Sequence, residues 1–150
     1  MSVLCPFHLF QAYAELIHAL SQKFAAGLVH GGGFVIGTMG DSTVAGQDNC
    51  AFDAWPYGVE RQLTPLLLAA GVNLTVRNVG HNGGWATNPQ LTCSGNLVGN
   101  DADLVIYSGP YVKPSGQTWA HLQFVRRTLL AGAIPLVASG DKLRHSWAWA

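Results

Sequence analysis

The sequence predicts an α/β fold in which a parallel sheet is covered by helices on both faces. Short apolar runs of strand length alternate with longer amphipathic stretches, and glycine-rich turns separate the two kinds. Of the 150 residues, 49% are hydrophobic and 11% charged, so one domain can bury a sizeable core without crosslinks.

Taken in order, Phe10, Tyr13, Ala14, Ile17, Leu20, Ser21, Phe24 and Leu28 recur at helical steps, giving a first helix with one apolar stripe. Pro6 suits its first turn, and Gly27 with Gly31 to Gly33 should stop it. Residues 1–33 therefore read as an amino-terminal helix and glycine linker, and 34–150 as the body of a single domain. The run from Phe34 begins the first strand and leads into Gly40-Asp41-Ser42. After a polar loop from Gln47 to Ala54, Trp55-Pro56 opens a helix carrying Val59, Leu63, Leu66, Leu67 and Ala70 on one side. Pro65 should kink or restart that helix, because an interior proline removes a hydrogen bond and crowds the preceding turn. Val72 to Asn78 alternates as a second strand and runs into a second glycine turn, Val79 to Gly84.

A loop containing Trp85, Asn88-Pro89 and Cys93 leads to Asp101 and Asp103 and then to the apolar strand Leu104 to Ser108. Trp119, Leu122, Val125 and Leu129 mark another helix, Gly132 ends it, and Ile134 to Ser139 reads as a fourth strand. Helical connections join the first strand to the second and the third to the fourth. That order calls for parallel pairing with right-handed crossovers.

Balanced charge gives no electrostatic footprint for nucleic acid or an anionic membrane. Gln11, Glu15, His18 and Gln22 interrupt the amino-terminal apolar run, so no membrane span is expected, and no Lys or Arg before Lys23 supplies the basic start of a signal peptide. The six histidines have no metal-ligand spacing and no cofactor motif is present, so neither is expected. Cys5, Cys50 and Cys93 form no CxxC pair; Cys50 and Cys93 fall in loops that could meet as a disulfide, and three free thiols fit equally well. The Asn73-Leu74-Thr75 sequon leans toward a secretory route.

Asp41 and Ser42 stand where a buried strand breaks the surface, which is where α/β enzymes set a nucleophile on a tight strand-to-helix turn. Gly40-Asp-Ser-Thr-Val-Ala-Gly46 and Asn78-Val-Gly-His-Asn-Gly83, each after a strand, together resemble the first two sequence blocks of the SGNH (GDSL-type) hydrolase family. The resemblance runs from Phe34 to Ser139, its specific part from Gly40 to Gly84. It implies a three-layer α/β/α sandwich with a flavodoxin-like parallel sheet, Ser42 as nucleophile, and the amides of Ser42 and Gly80 as oxyanion donors. Two family features depart. Tyr111 and Val112 stand where the third block has Asn and Asp, and Asp141 to His145 has one residue too many for the terminal Asp-x-x-His, as if the chain stopped before that element.

Serine acyl transfer needs a base within hydrogen-bond reach, an orienter for the base, and amides where the carbonyl oxygen becomes negative. His145, with Asp141 four residues back, is the first candidate base; His81 and His121 follow, His121 being expected at the surface. Asp41 should brace the turn, and Asn49, His81 and Tyr111, with Trp55 and Trp85, are candidates to contact substrate. The expected activity is hydrolysis of an acyl or acetyl ester, of a small molecule or a carbohydrate. The alternative is a non-catalytic domain of the same fold that binds glycan or a partner protein.

Overall fold

The computed structural model describes residues 6–47, 50–82, 88–109 and 118–139. Four strands, β1 (Gly33–Gly40), β2 (Asn73–Asn78), β3 (Leu104–Gly109) and β4 (Ile134–Ser139), form one sheet in the order β2-β1-β3-β4. All three pairings are parallel, as the alternation of strands and helices predicts. Phe34 lies opposite Leu74, and Ile36 opposite Val76 and Leu104, so β-branched and aliphatic side chains stack across the sheet.

Residues of opposite parity along each strand feed two separate cores. Phe34, Ile36, Val72, Leu74, Val76, Leu104 and Ile134 form one, covered by Leu16, Leu20 and Phe24 of α1 (Pro6–His30) and by Leu67 of α3 (Trp55–Ala69). The rings of Phe24 and Phe34 stack at 4.1 Å, which ties α1 onto the sheet. Met39, Val105 and Tyr107 form the other core with Leu91 of α4 (Asn88–Thr92), Val98 of α5 (Ser94–Val98) and Ala120 and Phe124 of α6 (Thr118–Leu130). Two cores on one sheet make the three-layer sandwich.

Three local expectations give way. α1 continues through Gly27 to His30, and Gly31, at φ 63°, is the residue that lets the chain leave the helix. α3 runs uninterrupted past Pro65, which is exposed, so the carbonyl it leaves unbonded can turn to water. The loop expected between the second and third strands contains α4 and α5, two helices of five residues each, too short to show a periodic pattern. α5 lands on the sheet at Gly37, where an added Cβ would lie 2.7 Å from the Val98 side chain.

β1 is followed by β2 on one side of the sheet and by β3, later, on the other. The strand order therefore reverses between β1 and β3, and their carboxyl ends flank the crevice where open α/β sheets bind ligands. Gly40 pairs with Ser108 at that edge.

Candidate active site

β1 ends at Gly40 with φ 150°, and an added Cβ there would lie 1.7 Å from the Ser108 carbonyl oxygen. Only glycine lets the two strand ends approach this closely. The chain then turns into α2 (Ser42–Ala45), a single helical turn closed by Gly46 at φ 83°. Asp41 caps its start: Oδ1 accepts from the Thr43 amide at 2.9 Å and from the Thr43 hydroxyl at 2.7 Å. The Asp41 carbonyl accepts from the amides of Val44 and Ala45 at 3.1 and 3.0 Å.

Ser42 thus occupies the first helical position, half-buried, where a backbone amide has no intrahelical acceptor. Its hydroxyl has no hydrogen-bond partner among the described residues. Asp41 is 1% exposed, and its Oδ2 has no hydrogen-bond partner among the described residues. Its charge is felt by Tyr107, directly across from Met39: burial first, and the Asp41 carboxylate second, push the phenol up to about 12.

The second glycine turn docks on the first. The Val79 amide donates to the Thr38 carbonyl and the His81 amide to the Gly40 carbonyl, both at 2.9 Å. Asn78 Nδ2 donates to the Val44 carbonyl at 2.7 Å, so a side chain from β2 bonds the backbone of α2 directly. An added Cβ on Gly80 would lie 2.4 Å from the Ala45 nitrogen, so this glycine is required by the close approach of the turns. Its amide is committed: it donates to Asn78 Oδ1 at 3.0 Å, whereas the family resemblance expects a donor free for substrate.

The sequence-derived site residues divide into three groups. Ser42, Asp41, Gly80 and the exposed His81 are brought together by these two turns. His121 stands on α6 and is half-buried, contrary to the expected surface position: its ring packs against that of Tyr107 at a centroid distance of 5.7 Å and an angle of 76°. Helical spacing sets it on the face of Phe124 and Thr128, which are buried, and that face packs against Tyr107. Asn49, Trp85, Tyr111, Asp141 and His145 lie outside the described residues.

Tyr107 was not singled out by sequence reasoning. Its signal is an aromatic phenol in an otherwise aliphatic strand, Leu104 to Ile106, one turn of the pleat before the strand leaves the sheet. Among the described residues no group of three His, Cys, Asp or Glu side chains could hold a metal ion. Cys50 and Cys93 are free and exposed rather than paired. No described helix is long and apolar enough to cross a membrane.

No protein-family model matches the chain, and no curated protein matches it. Among solved structures, it is similar to a two-domain esterase active on acetylated mannans, with TM-score 0.67 and 15% identity over 81% of this chain. The same esterase co-crystallized with mannopentaose gives TM-score 0.62 and 18% identity over the same share. The chain spans 33% of that esterase's length. At such identities the likeness is one of fold, and the parallel α/β architecture is shared with it.

Proposed function

We propose that the chain is an SGNH-like serine esterase domain acting on acyl or acetyl esters, including those of carbohydrates. The observation that carries this reading is Ser42 at the first position of a one-turn helix, at the carboxyl end of β1 beside the strand-order reversal, with a second glycine turn docked on it. The fold shared with an esterase active on acetylated mannans supports the same substrate class.

In the proposed reaction Ser42 Oγ attacks the ester carbonyl carbon while a base takes its proton. The tetrahedral oxyanion forms against the Ser42 amide, and its collapse expels the alcohol with a proton returned by the base. Water then cleaves the acyl-serine by the same steps. Asp41 holds the turn through Thr43 and does no proton transfer. His145 oriented by Asp141 is the proposed base, and Asn49, His81 and Tyr111 are proposed to contact the substrate. The Gly80 amide joins the oxyanion site only by exchanging Asn78 Oδ1 for the substrate oxygen.

That committed amide, and the absence among the described residues of a hydrogen bond joining Ser42 to a histidine, favour a second reading: a non-catalytic domain that binds glycan or protein. A fluorophosphonate probe separates the two. The esterase reading expects labelling of the wild type, none of Ser42→Ala, and loss of nitrophenyl acetate turnover in the same variant. Equal labelling of both proteins overturns it; turnover that depends on Ser42 overturns the binding-only reading.

A further inference from the structure

A cavity of about 240 Å³ lies between α5, α6 and the residues that lead into β3 and β4, at the opposite end of the sheet from Ser42. Val98, Val105 and Ala133 form an apolar floor, and Asn96, Asn100 and Arg127 stand around it. Among the described residues that line it there is no Asp or Glu. Arg127 donates one N–H to the Thr92 carbonyl, and among the described residues it has no carboxylate partner. Thr128, 3% exposed, also lines the cavity, and its hydroxyl has no hydrogen-bond partner among the described residues. Asp101 lies beside Gly99, and both of its oxygens are held by Arg77 at 2.6 and 2.7 Å.

A cavity walled by apolar and amide groups, with one guanidinium that has no carboxylate partner among the described residues and a buried hydroxyl, suits a ligand with a single negative charge and a short apolar body. A carboxylate matches the planar fork of a guanidinium. A dianion such as phosphate would leave a charge unmatched, because Arg127 is the only cation among the described residues that line it. We propose that this cavity binds a short-chain monocarboxylate, its carboxylate on Arg127 and its alkyl body on Val98, Val105 and Ala133.

Cys93 lines the cavity and is exposed, while Cys50 is exposed and lies outside it, so the two thiols are a built-in reporter and control. The experiment alkylates the full chain with iodoacetamide in sodium butyrate, balanced with sodium chloride, and quantifies the two cysteines by peptide mass spectrometry. Butyrate should slow alkylation of Cys93 saturably and leave Cys50 unchanged, and n-butanol should protect neither. Arg127→Gln should raise the half-saturating butyrate concentration by roughly tenfold or more, the loss typical of one charge-assisted hydrogen bond. Ala131→Leu, which fills the cavity from its exposed rim, should abolish protection with the charge intact. Equal slowing of both cysteines, no slowing, or unchanged protection in Arg127→Gln overturns the proposal, as does phosphate protecting as well as butyrate. Ser42→Ala should behave as wild type here, so this inference and the esterase reading fail independently.

Discussion

The carboxyl ends of β1 and β2 and the amino end of β3 are anchored by different physics. At the carboxyl ends, Gly40 and Gly80 allow backbones to touch, Asn78 bonds α2, and among the described residues no ion pair joins the two turns. At the amino end of β3 charges hold the chain. Asp103 accepts from Lys23 Nζ at 3.0 Å and from the Val35 amide at 2.9 Å, and Asp101 makes its two-bond pair with Arg77. Contacts of the first kind fix atoms to tenths of an ångström and tolerate no added atom. Ion pairs at a partly exposed edge are softer and screened by salt. A turn that presents a nucleophile needs the first kind; a connection that only closes the fold can use the second.

That contrast breaks if substitutions at the two ends cost alike. Gly40→Ala should have the largest effect, more than about 4 kcal/mol or loss of folding, because its Cβ would overlap the Ser108 carbonyl. Gly80→Ala should follow at about 1–3 kcal/mol as an overpacked contact with α2. Gly132→Ala is the control: it has φ 79° but open space around its Cβ, so only the left-handed conformation is penalised, at about 1–2 kcal/mol. Denaturant unfolding of the three variants measures the ranking, and a Gly40→Ala protein as stable as Gly132→Ala would refute it.

A smaller effect tests the buried charge of Asp41, next to Ser42 in the chain. Asp41→Asn keeps a capping acceptor for Thr43 and removes the carboxylate that helps hold Tyr107 up. The Tyr107 midpoint, read from phenolate absorbance against a Tyr107→Phe blank, should fall from about 12 and stay above the ordinary 10.0, because burial remains. The folded value lies above the unfolded one. Stability from the neutral phenol is therefore complete below pH 10.0 and is lost as pH rises through about 12. An unchanged midpoint would show that Asp41 does not face Tyr107.

The smallest effect is expected at the other end. Arg77 holds Asp101 down to about 2, below its ordinary 3.8, so the pair contributes above pH 3.8 and its contribution is lost as pH falls through about 2. Arg77→Ala should lower the unfolding midpoint slightly at neutral pH, with the difference from wild type narrowing over that acid range. A difference that persists at pH 2 would assign the effect to the Arg77 bond with the Val98 carbonyl instead.

Much of the sheet is legible in the sequence because its strands are continuous apolar runs, such as Leu104 to Ile106 and Ile134 to Val137, bounded by glycine. α4 and α5 are not legible, since one buried Leu91 and one Val98 make no period. Gly27 reads as a helix stop but lies within α1, where an added Cβ would meet only Val72 at 3.7 Å. Local propensity marks where a helix can end, and packing decides whether it does.

The sequence by itself determined the order of strands and helices, and with it the parallel sheet and the place of Ser42 at a strand end, because periodicity and glycine turns are local properties. Only the tertiary structure decided what surrounds that serine. It docked the second glycine turn on the first through the Val79–Thr38 and His81–Gly40 bonds, brought His121 onto Tyr107, and set the Asp41 charge within reach of Tyr107. Those contacts join residues well separated along the chain, Thr38 with Val79, Gly40 with His81 and Asp41 with Tyr107, and the free energy that selects them comes from segments meeting across the sheet, which no local pattern encodes.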